Sequence, residues 1–183
     1  ISLTEALVID PECEIGEEVA ESVNFLSFGR RAVLNLRQTL ASKILELHKE
    51  NIYEQYKDKG ITKVVGIESR GFILGGALAA RLGAGFVMAR KPGKLPAETI
   101  EETYTKEYGT DCIQIHKDAI DENDVVLLHD DLLATGGTMA ATYRLVQKCN
   151  PKQAFINFVI ELEGLDGRKA FAEGVEVETL LKL

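Results

Sequence analysis

Residues 125–138 have the sequence VVLLHDDLLATGGT, and this stretch decides the fold. It begins with four apolar residues, typical of a strand buried on both faces, and ends in a small turn with two glycines that opens a helix. A buried strand followed directly by a helix is the repeating unit of α/β proteins with a parallel sheet. In such sheets ligands bind beyond the carboxyl ends of the strands, so the residues just after each strand are the first candidates for a site.

The rest of the chain repeats this alternation. Strands are predicted at Lys63–Ile67, Gly85–Ala89, Val125–His129 and Ala154–Glu161. Helices are predicted at about Phe72–Arg81 and Thr138–Lys148, with a longer helix somewhere within Arg31–Tyr56. The expected fold class is α/β, with a mostly parallel twisted sheet flanked by helices and a flexible lid loop.

Composition limits the classes of protein to which the chain can belong. The 183 residues are 45% apolar and 27% charged, enough for one globular domain over 1–183. No run approaches the roughly 18 apolar residues of a membrane helix, and Ile1–Asp10 lacks the pattern of a signal peptide. A net charge of −8 disfavours nucleic acid and anionic membranes as partners. We expect a soluble cytoplasmic protein, and the three widely spaced cysteines predict neither a disulfide framework nor a zinc site.

The turn after residues 125–133 is suited to a phosphate group. Gly136 and Gly137 let the backbone approach a ligand closely, and the helix that follows presents unpaired N–H groups. Thr135 and Thr138 add hydroxyl groups. The carboxylates just before the turn, Asp130 and Asp131, suit a ribose diol or a hydrated Mg²⁺, since both prefer oxygen acceptors. The alternative is an ordinary capped helix with no ligand.

This fourteen-residue pattern resembles the phosphoribosyl diphosphate signature of the type I phosphoribosyltransferases, in the form of the motif that is typical of the adenine-specific members. The resemblance extends from Tyr56 to about Arg168. It implies that Ala134–Thr138, which comprises Ala134, Thr135, Gly136, Gly137 and Thr138, holds the 5-phosphate, while Asp130 and Asp131 hold the ribose hydroxyls. His129 departs from the apolar residue common at its position. Alternation along a strand points it away from Asp130, so we expect a structural histidine rather than a metal ligand.

A second polar turn follows the strand Lys63–Ile67. Arg70 offers a planar fork of donors suited to a diphosphate, and Gly71 permits close backbone approach. Taken alone, the segment could be a helix start with a solvated arginine. It is similar to the family's pyrophosphate loop, which implies substrate-binding roles for Glu68 and Ser69, a catalytic role for Arg70, and a non-proline cis peptide bond between Glu68 and Ser69.

A third segment, RKPGKLP at 90–96, concentrates positive charge on an acidic protein. A bare charge cluster is commonly a solvated turn. The segment looks like one near the diphosphate and the subunit contact of the family, which implies substrate-binding roles for Arg90, Lys91 and Lys94. A basic residue here can serve the neighbouring subunit's site, so a homodimer is expected.

The stretch Leu95–Gly109 fits neither the helical nor the strand period and predicts a long exposed excursion, the lid loop. Its end resembles the family's Glu-Tyr-Gly, which implies that Glu107 is catalytic and exchanges a proton with the purine, with Tyr108 beside it. Near the last central strand, Leu162 corresponds to a residue that packs against the base. Otherwise Glu107 would be one surface glutamate among many.

Together the resemblances imply transfer of ribose 5-phosphate from phosphoribosyl diphosphate to a purine base, with Mg²⁺ bound beside the substrate. Adenine is the expected base. The alternatives are hypoxanthine, guanine or xanthine as the base, or a non-catalytic regulator that senses phosphoribosyl diphosphate. The N-terminal segment 1–55 is atypical, because it lacks the Pro-Asp-Phe-Pro that covers the base in adenine enzymes. Phe25 and Phe28 near Arg30 are substitutes, or else ordinary core residues.

Overall fold

The computed structural model describes residues 2–16, 19, 32, 34–36, 39, 50–106 and 109–183. The chain forms two compact units, Ile1–Ile44 and Leu45–Leu183, and the single domain expected over 1–183 stays a prediction. In the first unit, helix α1 (Leu3–Ile9) begins with a capping box. The Ser2 hydroxyl accepts from the Glu5 amide at 3.3 Å, and the Glu5 carboxylate accepts from the Ser2 amide at 2.9 Å. The sequence analysis did not predict this helix.

The second unit is built on a five-stranded sheet in the order β2-β1-β5-β6-β7, with every neighbouring pair parallel. Its strands are β1 (Lys63–Ile67), β2 (Gly85–Ala89), β5 (Val125–Leu133), β6 (Gln153–Glu161) and β7 (Val177–Lys182). Its helices are α2, the helical residues 50–56, then α3 (Gly71–Leu82) and α4 (Gly137–Gln147). The predicted α/β class is confirmed, and β7 is an addition that the sequence analysis did not predict.

Side-chain alternation in β1 separates two cores. Val64 packs with α2 and α3, whereas Val65 packs with α4. Helix α3 buries residues at the helical spacing i, i+3, i+4, i+7 and i+8, namely Gly71, Leu74, Gly75, Leu78 and Ala79. The sheet is therefore covered on both faces, which explains why its strands are nearly continuous apolar runs.

The region predicted as an irregular excursion is regular in the structure. Strands β3 (Thr99–Lys106) and β4 (Gly109–His116) pair antiparallel over their full length. The prediction that Leu95–Gly109 lacks a strand is therefore wrong. The hairpin escaped notice because β3 has the polar sequence TIEETYTK, with only one buried side chain among its described residues, Tyr104. Movement of this hairpin as a lid stays a prediction.

The helices of the described residues give no sign of a membrane span, since none is both long and apolar enough to cross a bilayer.

Candidate functional site

The turn at Ala134–Thr138, called here the phosphate cradle, connects β5 to α4 at the carboxyl edge of the sheet. Gly136 is the N-cap of α4 and has φ 75°, in the left-handed region that favours glycine. Among the residues that the structure describes, no side chain caps the first N–H groups of α4, so these groups can face an anion. The cradle borders a cavity of about 100 Å³ that Asp130, Met139 and Phe158 also line.

The two predicted carboxylates lie near the end of β5, where Leu132 and Leu133 separate them from the cradle. Burial raises the pKa of Asp130 to about 7, and the negative charge of Asp131 acts in the same direction. The Asp130 carboxylate accepts the backbone N–H of Asp131 at 2.9 Å. One acid is therefore poised to change its charge near neutral pH, while its neighbour has a cationic partner.

That partner is Arg70, which comes from the turn between β1 and α3. Its Nε lies 3.1 Å from Oδ2 of Asp131, and its side chain is 67% exposed. The peptide bond between Glu68 and Ser69 is cis, which confirms the expectation from the sequence. At Gly71 a Cβ would come within 2.9 Å of the Asp130 carboxylate, so only glycine lets α3 start this close to β5. The turn Glu68–Arg70 resembles the family's pyrophosphate loop and is called here the pyrophosphate segment. It lies beside the two carboxylates and forms one site with them.

The basic segment after β2 joins the same edge. The Arg90 guanidinium donates to the Glu68 carboxylate at 2.8 and 3.2 Å and to the Lys94 carbonyl at 3.0 Å. These bonds hold the pKa of Glu68 below its ordinary value. Lys91 is 63% exposed and lies 3.6 Å from Asp111. The substrate-binding role of Glu68 stays a prediction, and what the structure shows is that its carboxylate holds Arg90 beside the pyrophosphate segment.

The predicted catalytic residue Glu107 and its neighbour Tyr108 lie outside the described residues. The strand that precedes them is tied to α4 at its base. Glu102 pairs with Arg144 and Lys148, each at 2.8 Å, and the Lys148 ammonium also donates to the Glu101 carbonyl at 3.0 Å. These cations lower the pKa of Glu102. The base of the hairpin is therefore fixed against the helix that begins at the cradle.

One contact of the cradle was missed by sequence reasoning. The hydroxyl of Tyr104, on β3, lies 3.0 Å from the hydroxyl of Thr138. Tyr104 is only 8% exposed and belongs to the core between the hairpin and α4. The available signal in β3 was its single aromatic residue, which is too weak by itself to identify a partner on α4.

His129 is structural, as expected. Its side chain is fully buried on the face of β5 opposite Asp130, and Nδ1 lies 3.1 Å from the side-chain oxygen of Asn157 on β6. Burial lowers the pKa of His129 to about 4, so the ring is neutral at physiological pH. It is not part of the site.

Leu162 follows β6 and lies beside the cradle strand. Its backbone N–H donates to the carbonyl of Leu133 at 3.0 Å, one residue before the cradle. Its side chain is half-buried. The predicted contact with a base is compatible with this position and stays a prediction.

No group of three or more His, Cys, Asp and Glu side chains able to hold a metal ion occurs in the part of the chain that the structure describes. Two adjacent carboxylates, one of them paired with Arg70, are too few ligands to form a Mg²⁺ site from protein side chains alone. The Mg²⁺ expected from the sequence stays a prediction.

Comparison with known proteins places this geometry in a family. Residues 37–170 match the model of the phosphoribosyl transferase domain. Over 134 residues the chain is 82% identical to an adenine phosphoribosyltransferase of Phocaeicola vulgatus, covering 73% of this chain and 77% of that protein. The crystal structure of adenine phosphoribosyltransferase from Rhodothermus marinus matches with 55% identity and a TM-score of 0.72, over 76% of this chain and 79% of that one.

A further solved structure, from Giardia lamblia, is an adenine phosphoribosyltransferase complexed with 9-deazaadenine. It shares 40% identity with this chain and has a TM-score of 0.73, covering 81% of this chain and 84% of its own.

The N-terminal residues have a different resemblance. Residues 1–50 match the model of the NusA N-terminal domain, and this match overlaps the phosphoribosyl transferase match at 37–50. The absence of Pro-Asp-Phe-Pro from the N-terminal segment falls within this stretch. The two aromatic residues considered as substitutes for it, Phe25 and Phe28, lie outside the described residues, as does Arg30.

The match to the phosphoribosyl transferase model covers well over half of the chain, and the relatives agree in name. The chain belongs to the phosphoribosyltransferase family, in its adenine phosphoribosyltransferase branch.

Proposed function

We propose that the protein transfers ribose 5-phosphate from phosphoribosyl diphosphate to adenine, giving AMP and diphosphate in purine salvage. The observation that carries this proposal is the 3.1 Å ion pair between Arg70 and Asp131. It brings the diphosphate-binding segment to the carboxylates that precede the phosphate cradle. The hydrogen-bond donors proposed for the 5-phosphate and for the diphosphate therefore lie on either side of the carboxylates proposed for the ribose. The 5-phosphate, ribose and diphosphate follow one another in the same order in phosphoribosyl diphosphate.

Each part of the site has a role in this reaction. The cradle would hold the 5-phosphate through backbone N–H groups and the hydroxyls of Thr135 and Thr138. Asp130 and Asp131 would accept hydrogen bonds from the ribose hydroxyls. Arg70 would bind the diphosphate and stabilise its negative charge as the bond to C1 breaks. Lys91 and Lys94, both exposed, would extend the positive surface for the diphosphate.

The chemical step is displacement of diphosphate from C1 of the ribose by a purine nitrogen. Its transition state has oxocarbenium character, as in other glycosyl transfers. Glu107 would exchange a proton with N7 of the purine while N9 attacks C1. Closure of the hairpin tip over the reactants would exclude water and suppress hydrolysis.

Mg²⁺ is proposed to enter with the diphosphate. When bound, it would neutralise charge on the leaving group. The residues present fit this arrangement, since Asp130 and Asp131 offer carboxylate oxygens but complete no metal cage by themselves. Arg70 would work beside the ion on the same diphosphate.

Adenine is favoured over other purines by the relatives. Two relatives that are 82% and 69% identical to this chain are named adenine phosphoribosyltransferases, and the Giardia lamblia structure contains 9-deazaadenine, an adenine analogue. Neither hypoxanthine, guanine and xanthine nor a non-catalytic regulator has comparable support. The chain also retains the Glu-Tyr-Gly at Glu107–Gly109 and Leu162, which resemble the base-side residues of the adenine enzymes.

A homodimer and a cytoplasmic location are also proposed. The support for the dimer is the basic segment 90–96, where Arg90 is committed to Glu68 of its own chain but Lys91 and Lys94 are exposed. Complementation tests it. Mixing a Lys91→Ala protein with an Asp130→Asn protein should restore some activity if Lys91 serves the neighbouring subunit. No restoration, with subunit exchange demonstrated, would contradict this role.

Nucleotide formation tests the proposed function. Adenine and phosphoribosyl diphosphate should give AMP and diphosphate in equal amounts when Mg²⁺ is present, and much less product after chelation of the metal. Binding of phosphoribosyl diphosphate without any turnover of purine would instead support the regulator. Absence of both would overturn the proposal.

A further inference from the structure

A segment beyond β6 contacts the phosphate cradle although no sequence motif indicated it. This segment, Asp166–Ala170, contains the buried Gly167. A Cβ on Gly167 would lie well under 3.0 Å from the carbonyl oxygen of Ala134 and 2.8 Å from the Leu133 side chain. A Cβ on Gly136 would in turn lie well under 3.0 Å from the carbonyl oxygen of Gly167. The two backbones are therefore in direct contact, with no room for a side chain from either direction.

The contact, rather than backbone conformation, restricts position 167. The φ of Gly167 is not in the left-handed region, so an alanine could adopt its backbone angles. The atoms that an added methyl group would meet include a backbone carbonyl, which cannot move aside as a flexible side chain would. A methyl group here would displace the cradle backbone or Gly167 itself.

An ion pair holds Gly167 in this place. Its neighbour Arg168 donates through Nε and Nη2 to the two carboxylate oxygens of Glu161, each at 2.7 Å, and through Nη1 to the Val177 carbonyl at 2.7 Å. The Thr179 hydroxyl donates to the same Glu161 carboxylate at 3.0 Å. The Glu161 side chain is only 7% exposed, and this arginine lowers its pKa. Paired bonds of this kind fix orientation as well as distance.

We infer that Gly167 is a positioning residue for the 5-phosphate, and that Arg168 and Glu161 position Gly167. The backbone of Gly167 bounds the cradle at Ala134 and Gly136, and so sets where the N–H groups of Gly137 and Thr138 point. A preorganised cradle binds its phosphate without first being ordered. This inference rests on the proposed function for the identity of the cradle's ligand.

A purely structural role would give a different result from a positioning role. If Gly167 served only to stabilise the second unit, its replacement would lower the affinity for every ligand to the same extent. If it positions the cradle, the affinity for ribose 5-phosphate should fall while the affinity for pyrophosphate stays the same, because pyrophosphate is expected to bind at the pyrophosphate segment. Binding of the two compounds therefore separates the two roles.

The main variant is Gly167→Ala. The matched control is Gly164→Ala, three residues earlier, where an added Cβ would meet no atom of the described residues within 4 Å. We expect Gly167→Ala to weaken ribose 5-phosphate about tenfold or more by titration calorimetry and to raise KM for phosphoribosyl diphosphate similarly. Its affinity for pyrophosphate should stay within about twofold of the parent, and Gly164→Ala should match the parent throughout. Arg168→Lys keeps the charge but loses the paired geometry. It should lower the affinity for ribose 5-phosphate by about three- to tenfold and leave the affinity for pyrophosphate unchanged.

Equal ribose 5-phosphate affinity in folded Gly167→Ala and parent would overturn the inference, as would equal losses for both ligands. If Gly167→Ala fails to fold, Arg168→Lys decides by the same two titrations. A parent protein that binds ribose 5-phosphate but turns over no purine would contradict the proposed function while leaving this comparison valid.

Discussion

The phosphate cradle and the pyrophosphate segment, which we propose to bind different parts of one substrate, are built differently. The cradle is backbone packed on backbone, with Gly136 and Gly167 in contact. The pyrophosphate segment relies on an exposed side chain, Arg70, whose only described ion-pair partner is Asp131. Under the proposed roles, we infer that the cradle is a preorganised anchor for the 5-phosphate, whereas the long side chain of Arg70 becomes fixed when the diphosphate binds.

The largest expected effect comes from the acids that lie between the two sites. The double variant Asp130→Asn/Asp131→Asn keeps both phosphate sites but removes the charged acceptors of the sugar. Hydrogen bonds to charged groups contribute about 1.5–3 kcal/mol each, so kcat/KM should fall by roughly 10²–10⁴-fold. Steady-state kinetics measures this. Asp58→Asn/Asp118→Asn, at exposed acids outside the site, should match the parent. Unchanged nucleotide formation in the first variant would refute the role of the acids.

Glu107→Gln tests the chemical step apart from both phosphate sites. The change keeps size and hydrogen bonding but removes the acid–base function, so kcat should fall by about 10²–10⁴-fold. Calorimetry should find the affinity for phosphoribosyl diphosphate near the parent value, because neither phosphate site is altered. Glu98→Gln, at the base of the hairpin, is the control. A Glu107→Gln enzyme with more than about a third of parental turnover would show that Glu107 is not the proton donor.

Arg70→Ala sharpens the contrast between the sites from the diphosphate side. Loss of a charged donor should lower the affinity for pyrophosphate by about 10–100-fold, and the affinity for ribose 5-phosphate should not fall. This is the reverse of the pattern expected for Gly167→Ala. Arg70→Lys should recover only part of the affinity, because an ammonium lacks the planar fork. Equal losses of both ligands in Arg70→Ala would mean that the two sites are not separable.

A pH titration probes the acid between the sites. Since Asp130 has its pKa raised to about 7, it is largely protonated at pH 6 and largely ionised at pH 8. Affinity for phosphoribosyl diphosphate should therefore improve by up to about tenfold over this range. The substrate's own phosphate also titrates near pH 6, so the comparison is with Asp130→Asn, which should lack the part due to the protein. Identical profiles would contradict the assignment.

Stability should change with pH in the opposite direction. The folded-state pKa of Asp130 lies above its unfolded value of about 3.9, so its protonation favours the folded state at low pH. This contribution should be lost as the pH rises from about 4 through 7. The free energy of unfolding, measured with urea at pH 5 and pH 8, should therefore fall more between these two pH values in the parent than in Asp130→Asn, which has no proton to release at this position. Equal declines would mean that burial does not perturb this acid.

The smallest expected effect belongs to the contact between the hairpin and the cradle. Tyr104→Phe removes the hydroxyl that lies 3.0 Å from the Thr138 hydroxyl and 3.5 Å from the Asp111 carboxylate, and it leaves the buried ring in place. A single hydrogen bond contributes about 1 kcal/mol, so KM for phosphoribosyl diphosphate should rise about fivefold. Tyr53→Phe, on α2, is the control. No change in KM would show that the hairpin does not help to position the cradle.

The sequence predicted the strand-end segments well because each is a continuous local pattern. Lys63–Ile67 and Gly85–Ala89 match the observed strands residue for residue, and the turn after Val125–Leu133 was identified from its glycines and acids. Such patterns contain both the buried strand and the polar turn within about fourteen residues. Nothing distant is needed to recognise them.

The parts that sequence reasoning missed depend on distant partners. Strand β3 is stabilised by pairing with β4 and by the ion pairs of Glu102 with α4, neither of which leaves a periodic signal in its own residues. Gly167 gives no signal at all, since its importance lies in contact with Gly136, 31 positions earlier in the chain. Contacts of this kind follow from the packing of the finished fold.

The central claim is adenine-specific transfer, and the ratio of kcat/KM values for four bases tests it most directly. Adenine, hypoxanthine, guanine and xanthine would each be supplied with phosphoribosyl diphosphate and Mg²⁺, and the nucleotide product quantified by chromatography. Polar recognition of a base can discriminate by about 10⁴–10⁵-fold when the wrong ligand leaves buried groups unpaired. We predict that adenine exceeds the other bases by at least about 10²-fold. Comparable values for a 6-oxopurine, or a higher one, would contradict the assignment.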